Sequence, residues 1–474
     1  MSRKQKLAIK FAIVGCAVAV GTWMTLGPSV ITPEGLPADM APEAPQRCVA
    51  VFLVCMSLWF TNLIPLAATG LLAIALLPLL DVLPKDEAFS LFGNSAVFFM
   101  LGVFLLSAAM ISTGLSKRIT LLFLQRFDRS PTRLVVGVTV SASFLALWMP
   151  EHAVAAMIFP IVVEIIDTLD LKQGANYAKK LFLGLAWGSI IGGVGTFLGG
   201  ARAPLALSLL HEAYPTVQIS FLSWMIAALP IVLIMTALAV WTLCARIPHD
   251  IEDIKPATRM LDQRVRRLGP MSGRELRLAA LGIATIAAWI SMGHTVGLAV
   301  IAMVSAVILF LLRVIDWKAA QDYANWGVLV MYGGAVALGA ALTETKAMEW
   351  LAHQVISPQT PPLFIVLTIA TVAIVLTEGI SNAAAVAILL PIGYSLGDTA
   401  GVGPVMMTLA VTIPAGLAFL LPVGSPPNAI SFSAGHYSIR QAVQIGWPLT
   451  VTGLAVVFAV IVAWWGIVLK VNAW

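Results

Sequence analysis

Two segments of this otherwise apolar chain carry polar residues at matched positions. Residues 148–161 run Trp-Met-Pro-Glu-His into small apolar residues and Pro160, and residues 379–392 run Gly-Ile-Ser-Asn-Ala into a similar stretch and Pro391. Pro160 and Pro391 are 231 residues apart. The same offset joins other identical pairs: Asn94 and Asn325, Met100 and Met331, Gly102 and Gly333, and Ala109 and Ala340. A two-fold internal repeat in a membrane protein is typical of a carrier whose substrate site lies between the halves.

The first of these segments is the charged one. It contains Glu151 and His152, and Arg202 follows in a glycine-rich stretch, residues 192–204. A lone charged side chain near mid-bilayer costs about 2.5–3.5 kcal/mol on insertion scales, so such residues are normally paired or functional. The adjacent Glu151 and His152 side chains do not converge on one helix face, and the chain has no His-Glu-x-x-His pattern. The sequence therefore disfavours an intramembrane enzyme.

Each polar segment is predicted to be the tip of a re-entrant helical hairpin. The first hairpin combines residues 134–149 with 153–166, and the second combines 362–380 with 383–396. Pro150 breaks the first at its apex, since proline lacks a backbone donor. Ser381 and Asn382 form the apex of the second. Non-helical backbone at membrane depth is tolerated only beside protein or a water-filled cavity, so both tips are expected to line a site.

Each half also contains a span that is predicted to break in the middle. The second break lies in residues 418–430, where Gly424 and Ser425 precede two prolines and Asn428. Adjacent prolines cannot continue a helix. The first break lies in residues 192–204, and it is rich in glycine instead of proline.

Composition places the whole chain in a membrane. It is 59% hydrophobic and 11% charged, whereas a soluble chain carries about 25% charged residues. Apolar runs long enough to span recur along it, including residues 7–26, 48–65, 221–245 and 449–468. The predicted fold is an all-α polytopic membrane protein with about eleven transmembrane helices and two inverted repeats, each with a re-entrant hairpin and a broken helix. No basic helix accompanies the net charge of +5, so no nucleic-acid partner is expected.

The predicted organisation has five parts. An N-terminal helix and external segment occupy 1–47, the first repeat 48–245, a cytoplasmic linker 246–275, the second repeat 276–433 and a C-terminal transmembrane helix 434–474. Lys and Arg concentrate on one set of loops, which places the N-terminus in the cytoplasm and the C-terminus outside. Amphipathic segments 116–129 and 345–355 are predicted to be interfacial helices.

With these motifs in place, the chain resembles the divalent anion:sodium symporter family, the INDY-type transporters. In that family each hairpin tip carries Ser-Asn-Thr and each broken span a Thr-Pro-Pro-Asn-like turn. Residues 377–383, Thr-Glu-Gly-Ile-Ser-Asn-Ala, and 421–428, Leu-Pro-Val-Gly-Ser-Pro-Pro-Asn, match the second-half motifs. The resemblance runs from about Val49 to Val468. It implies a homodimer in the inner membrane and an elevator-type movement of a transport domain.

The resemblance also implies site residues. The positions that match the tips and turns give the candidate substrate contacts Glu151, His152, Arg202, Asn382, Ala383, Pro427 and Asn428. The candidate cation contacts, for one Na⁺, are Thr377, Ser381, Asn382, Gly424 and Ser425. The third position of the second tip is Ala383 where the family has threonine, so one hydroxyl donor is missing.

The first half departs sharply from the family. Pro150, Glu151 and His152 stand where Ser-Asn-Thr is expected, and Arg202 stands in the turn that should read Thr-Pro-Pro-Asn. In one hypothesis Arg202, balanced by Glu151, supplies a fixed charge in place of the first sodium. In another, Arg202 binds the anion through its guanidinium fork, with His152 as a proton-linked donor. A structural polar cluster is the third alternative.

The predicted function is secondary active transport of a small anion (dicarboxylate, sulfate or a similar inorganic anion), coupled to a cation through the second-half site. A sodium-independent anion exchanger or a proton-coupled carrier, in which Arg202 and Glu151 replace the first sodium site, is the alternative. A channel or sensor that keeps the fold without coupling also remains open. Substrate identity is not predicted by the sequence.

Overall fold

The computed structural model describes residues 3–37, 40–127, 129–248, 250–251, 253–355 and 360–471. The predicted parts 1–47 and 434–474 therefore include a few residues, the extreme termini among them, that lie outside the described ones. The described residues fold into helices, turns and connecting loops. Nine of these helices are long and apolar enough to cross a membrane, and shorter apolar helices complete the bundle. The predicted all-α polytopic fold is confirmed.

The first half runs from the N-terminal helix to the linker. Its helices are α1 (Arg3–Leu26), α2 (Ala44–Thr61), α3 (Leu66–Leu79), α4 (Lys85–Ser90), α5 (Ser95–Thr113), α6 (Leu115–Arg126), α7 (Pro131–Ala146), α8 (Glu151–Thr168), α9 (Asn176–Gly193), α10 (Arg202–Ala213) and α11 (Phe221–Arg246). A helix in the linker, α12 (Lys255–Leu268), follows.

The second half repeats the order of the first. Its helices are α13 (Gly273–Met292), α14 (Leu298–Leu311), α15 (Trp317–Tyr323), α16 (Trp326–Glu344), α17 (Ala347–Val355), α18 (Pro362–Gly379), α19 (Asn382–Ala400), α20 (Pro404–Thr412), α21 (Pro426–Ser433) and α22 (Ile439–Ala459). The last helix continues into a π-helical segment, Val460–Val468. Both halves thus contain a span, a short helix, a hairpin and a broken helix in sequence.

Repeat-related caps set the starts of matching helices. The side chain of Asn94 accepts a hydrogen bond from the backbone N–H of Ala96 at the start of α5. Asn325 does the same for Val328 at the start of α16. An N-cap oxygen satisfies a backbone donor that has no partner inside the helix. The shared offset noted in the sequence therefore reflects a shared local structure.

The structure places some element boundaries elsewhere than the sequence suggested. The linker at 246–275 contains the helix α12, and its last residues already belong to α13. The boundary at residue 48 falls inside α2. The signal for α12 was its apolar spacing at Met260, Leu261, Val265 and Leu268, which places these residues on one helix face.

Packing brings the two tips to the centre of the molecule. Helix α7 packs along α9, α8 contacts α9 and α21, and α10 contacts α16 and α19. Some of the largest fully buried side chains lie on these helices, including Trp187 and Arg202. The hairpins and broken helices therefore bury large side chains among themselves.

Candidate functional site

The first hairpin tip is pinned to the first helix break. Helix α7 ends at Ala146 and α8 begins at Glu151, so the apex around Pro150 is non-helical as predicted. The backbone N–H of Glu151 donates to the carbonyl oxygen of Gly199 at 2.8 Å. The hydroxyl of Thr196 donates to the carbonyl oxygen of Leu147 at 2.5 Å. Two elements that are distant in sequence thus form one rigid polar centre.

Arg202 and Glu151 form a buried ion pair within this centre. The Nη1 of Arg202 lies 3.0 Å from the Oε2 of Glu151. Arg202 is 2% exposed and Glu151 is 4% exposed. Because charges are tolerated in a low-dielectric interior only when they are paired, each residue makes the other possible. Helix geometry adds to this, since Glu151 is in the first turn of α8, where the helix dipole favours a carboxylate.

Glycines make room for the guanidinium. A Cβ at Gly200 would lie 2.6 Å from the Nη1 of Arg202, and one at Gly193 would lie 3.2 Å from its Nη2. A Cβ at Gly416, just before the second break, would also overlap the guanidinium. The volume that Arg202 occupies therefore accounts for Gly200 and contributes at Gly193, where Glu151 is closer still.

A single amide connects the two tips. The Nδ2 of Asn382 donates to the Oε1 of Glu151 at 3.1 Å. These residues are separated by 231 positions, which is the repeat offset itself. Equivalent positions of the two halves therefore meet, a carboxylate from the first and an amide from the second.

The other end of this amide faces a cluster of oxygen atoms. Because Nδ2 points to the carboxylate of Glu151, the Oδ1 of Asn382 is directed toward Thr377. The hydroxyl oxygen of Thr377 lies 2.7 Å from that Oδ1 and 2.7 Å from the carbonyl oxygen of Ala415. A hydroxyl has one proton, so it can donate to only one of these two acceptors. A surplus of oxygen lone pairs is a property of a cation site.

The other candidate cation contacts, Ser381, Gly424 and Ser425, are near this oxygen cluster in the chain or in space. Ser381 is the N-cap of α19, where its hydroxyl accepts from the N–H of Ala384. The Oγ of Ser425 is buried and has no hydrogen-bond partner. A Cβ at Gly424 would lie 2.8 Å from the carbonyl oxygen of Thr377, so the break packs directly on the end of α18. Thr377, Asn382, Gly424 and Ser425 are therefore parts of one neighbourhood.

The other predicted substrate contacts lie on second-half elements. The Nδ2 of Asn428 donates to the carbonyl oxygens of Ala418 and Leu421, within its own broken span. Pro427 is buried at the start of α21, and Ala383 is 8% exposed in the first turn of α19. Among the described residues, no hydrogen bond joins Asn428 to Arg202 or Glu151.

His152 faces away from the ion pair. Its ring meets Phe104 of α5 edge-on, with ring centroids 6.4 Å apart. No hydrogen bond joins His152 to Glu151 or Arg202 in the described part of the chain. This histidine is therefore placed against the outer helix α5, at the surface where the first tip meets that helix.

Glu378 stabilises the backbone of the second break. Its two carboxylate oxygens accept hydrogen bonds from the backbone N–H groups of Phe419, Leu420 and Leu421 at 2.8–3.1 Å. These donors belong to the second break, where no helical acceptor is available. Glu378 thus supplies the acceptors that an intact helix would have provided. The position of Glu378 one turn before the tip was the only sequence signal.

Several polar atoms near the centre of the molecule are buried without partners. They are the Nη2 of Arg202, the hydroxyl of Tyr332, the Oγ1 of Thr412 and the Oγ of Ser425. Buried polar groups are normally hydrogen-bonded, so unsatisfied ones mark places where a ligand or water belongs. Among the described residues no cluster of three or more His, Cys, Asp or Glu could hold a metal ion. The oxygen cluster around Thr377 is built instead from hydroxyl, amide and carbonyl groups.

Comparison with known proteins identifies what the chain is similar to. Residues 12–471 match the family described as the sodium:sulfate symporter transmembrane region. The sodium-dependent dicarboxylate transporter SdcS of Staphylococcus saprophyticus subsp. saprophyticus is 30% identical over 442 residues, which cover 87% of this chain and 85% of the relative. SdcS of Staphylococcus aureus strain USA300 is 29% identical over 446 residues, with 87% and 84% covered.

A solved structure shares the fold. The Alcanivorax borkumensis YdaH transporter, whose crystal structure shows an unusual topology, aligns with a TM-score of 0.50 and 17% identity. The alignment covers 88% of this chain and 98% of that one. At this identity the likeness concerns the fold alone.

Proposed function

Because the chain belongs to the sodium:sulfate symporter family, we propose that it carries a small anion, a dicarboxylate or sulfate, by coupling to one Na⁺ bound in its second half. Family membership confirms the predicted relationship, the multi-pass membrane location and the absence of an enzymatic role. The coupling ion is supported by the relatives, which are sodium-dependent dicarboxylate transporters. The substrate class, the site and the mechanism are the proposal.

The observation that carries the proposal is the oxygen cluster at Thr377. One hydroxyl proton serves two acceptors, the Oδ1 of Asn382 and the carbonyl oxygen of Ala415, each at 2.7 Å. The nearby Oγ of Ser425 is buried without a partner. Hard oxygen donors of this kind suit a small hard cation. Na⁺, as a co-transported substrate, would be held by Thr377, Ser381, Asn382, Gly424 and Ser425.

The first half is proposed to have exchanged its cation for a fixed charge. Arg202 already pairs with Glu151 at 3.0 Å, and glycines fit closely around it. A second Na⁺ there would be repelled by the guanidinium. The Nη2 of Arg202 is buried without a partner, so it has a hydrogen bond left to donate to an oxygen of the anion. Asn382 then lies between the two proposed sites. Its Nδ2 donates to Glu151 on the anion side, and its Oδ1 faces Thr377 in the cation site.

Movement of the hairpins past the outer helices is part of the proposal. His152 meets α5 and α10 packs on α16, so the candidate site lies along a boundary between hairpin elements and outer helices. An elevator-type displacement would slide the tips along that boundary. A homodimer in the inner membrane, with the N-terminus cytoplasmic and the C-terminus outside, completes the expected arrangement.

Uptake into proteoliposomes tests the coupling. Purified protein is reconstituted, and uptake of labelled succinate and labelled sulfate is measured under an inward Na⁺ gradient, an inward proton gradient, or with internal unlabelled anion only. Na⁺-driven, saturable uptake with a Hill coefficient for Na⁺ of about 1 is expected, because that coefficient is bounded by the number of sites. Non-saturating flux would instead indicate a channel.

Thr377→Val tests the cation site, because it removes the hydroxyl and keeps the shape. Its half-saturating Na⁺ concentration should rise at least tenfold. Thr371→Val is the matched control on the same helix, since the Thr371 hydroxyl only donates to the carbonyl oxygen of Leu367 one turn back. Equal Na⁺ dependence in the two variants would refute the assignment.

The same uptake experiment also tests the alternative function. The closed Arg202–Glu151 pair is the specific observation that favours a sodium-independent exchanger or a proton-coupled carrier. Uptake that needs internal anion, or a proton gradient, and ignores Na⁺ would establish that alternative and remove the second-half sodium from the proposal.

A further inference from the structure

An apolar slot lies beside the first hairpin tip, outside the candidate site. It has a volume of 280 Å³ and is walled by the outer helices α5, α6 and α13 on one side. The opposite wall is the tip end of α7, with Phe144 and Trp148, together with Leu198 from the first break. The slot therefore separates a hairpin tip from the outer helices.

The slot offers little to a polar molecule. Its lining is apolar apart from Thr285 and the indole N–H groups of Trp148 and Trp289. The hydroxyl of Thr285 already lies 2.7 Å from the carbonyl oxygen of Leu281 and 2.8 Å from the Oγ of Ser305, and Trp289 donates to the carbonyl oxygen of Leu298. A polar occupant would lose its hydrogen bonds to water without replacement. The occupant must therefore be a hydrocarbon.

The slot opens toward the lipid. Helix α13 is one of the membrane spans, and most of its surface is exposed in the protein. Ile283, which lines the slot, is 70% exposed. Gly282 also lines it, and a Cβ there would meet nothing within 4 Å. The open space over Gly282 is thus continuous with the bilayer, where acyl chains are the available hydrocarbon.

The linker-side rim of the slot is positively charged. Arg274 lies four residues before Leu278, so it projects from the same face of α13 one turn nearer the linker. It is exposed and makes no hydrogen bond or ion pair with another described residue. Glu275 at this rim is already matched by Arg118, at 2.7 Å. Arg277 adds another cation, bound to the carbonyl oxygens of Gly273 and Leu312. The charge left over is positive.

We propose that this slot binds one anionic phospholipid, with an acyl chain against Gly282 and the phosphate beside Arg274. The apolar walls suit an acyl chain, and the unpaired guanidinium of Arg274 suits a phosphate. The bound chain also touches Trp148 and Leu198, which flank the tip residue Glu151 and its backbone acceptor Gly199 in sequence. The lipid therefore lies between the hairpin tip and the helix past which that tip is proposed to move.

Native mass spectrometry of the purified full chain tests the binding without any transport assay. The protein is incubated in detergent with palmitoyl-oleoyl phosphatidylglycerol or the matching phosphatidylcholine. Wild type should retain one phosphatidylglycerol at a collision energy that strips phosphatidylcholine. Gly282→Phe fills the slot and should lower that retention at least fivefold. Gly15→Phe is the matched control, because Gly15 also has open space around it but lies on α1.

The headgroup contact has its own pair of variants. Arg274→Gln should reduce the preference for phosphatidylglycerol several-fold. Arg133→Gln should leave it unchanged, since Arg133 is an exposed cation at the far end of α7, eleven residues and roughly 16 Å from Phe144 along the helix. Equal retention of phosphatidylglycerol by Gly282→Phe and wild type would overturn the assignment of the slot as the binding site. Equal retention of the two lipids by wild type would overturn the proposed preference for an anionic headgroup.

A measurement on unaltered protein removes any dependence on how the variants fold. Phosphatidylglycerol that carries a diazirine in one acyl chain is photolysed with the wild-type chain, and the labelled peptides are mapped. Adducts should concentrate on residues 103–110, 144–148 and 278–289. Labelling spread evenly over the lipid-facing helices would overturn the proposal.

Discussion

The pairing of Arg202 with Glu151 sets the electrostatics of the first half. Both side chains are buried, and a single Nη1–Oε2 contact of 3.0 Å joins them. Such a pair contributes little net stability compared with apolar residues, yet it is costly to break, because the remaining charge has no compensation. Its presence at a hairpin tip is therefore better explained by a role in ion or anion handling than by stability.

A double-mutant cycle measures this coupling. Glu151→Gln and Arg202→Met should each destabilise the protein by about 3–5 kcal/mol, and the double variant should recover most of that loss, because it leaves no unpaired charge. The free energy of unfolding in detergent is the measurement. The partly exposed pair Glu164–Arg264, at 2.6 Å, is the control, and its cycle should give about 0–1 kcal/mol. Additive effects at Glu151 and Arg202 would contradict the buried pairing.

The backbone of each broken span is held by hydrogen bonds to groups on other elements. In the second break, Glu378 accepts from three consecutive backbone N–H groups, and Trp187 donates to the carbonyl oxygen of Phe419 at 3.3 Å. In the first break, Gly199 and Thr196 are bound to the neighbouring tip. Each break is therefore held in one conformation by a hairpin, which is how four separate elements can present one site.

Glu378→Gln should weaken the second break. A glutamine side chain has one acceptor oxygen where the carboxylate has two, so at least one backbone N–H loses its partner. Hydrogen bonds to charged groups contribute about 1.5–3 kcal/mol each. Transport at low Na⁺ should fall roughly tenfold, since 1.4 kcal/mol corresponds to a factor of ten. Glu349→Gln, at an exposed acid on α17, is the control and should transport like wild type. Unchanged Na⁺ affinity in Glu378→Gln would show that the break does not shape the cation site.

Gly193→Ala tests the packing of the first break. The added methyl group would overlap the Oε2 of Glu151 and lie 3.1 Å from the carbonyl oxygen of Gly199. Overpacking of this kind costs about 1–3 kcal/mol. Thermal unfolding should therefore begin at a lower temperature than in wild type. Gly15→Ala adds the same methyl group where no atom lies within 4 Å, so it should not destabilise. A stable Gly193→Ala variant would mean that the tip can shift away from α9.

Local chemistry in the sequence was sufficient to predict the breaks and tips. Pro150 and the Pro426-Pro427 pair interrupt helices wherever they occur, and an intramembrane Glu and Arg on neighbouring elements indicated a pair. The Asn382–Glu151 hydrogen bond could not be predicted, because it joins residues 231 positions apart through tertiary packing. The sequence indicated that Glu378 is a hydrogen-bonded residue behind the tip, but its backbone partners could not be predicted for the same reason, since they lie 41–43 residues away.

At the scale of the molecule, polar contacts tie the hairpin and broken-helix elements to the outer helices on two sides. The side chain of Asn94, which caps the outer helix α5, bonds Ser208 and Glu212 of α10 at 2.7 and 2.6 Å. On the linker side, Arg264 of α12 bonds Glu164 of α8. The repeat mate of Asn94, Asn325, is exposed, and its one side-chain hydrogen bond among the described residues caps its own helix. The two halves therefore differ in their contacts at these equivalent positions.

If the tips move past the outer helices during transport, locking Asn94 to α10 should stop it. In a background in which Cys16, Cys48, Cys55 and Cys244 are replaced by alanine, Asn94→Cys and Ser208→Cys place two thiols where the native oxygens lie 2.7 Å apart. Mercury(II), which bridges close thiols, should abolish anion uptake in proteoliposomes, and dithiothreitol should restore it. Each single cysteine variant should keep its uptake under mercury(II). A bridged double variant that still transports would show that α10 and α5 stay together throughout the cycle, and the elevator-type displacement would then be excluded for this boundary.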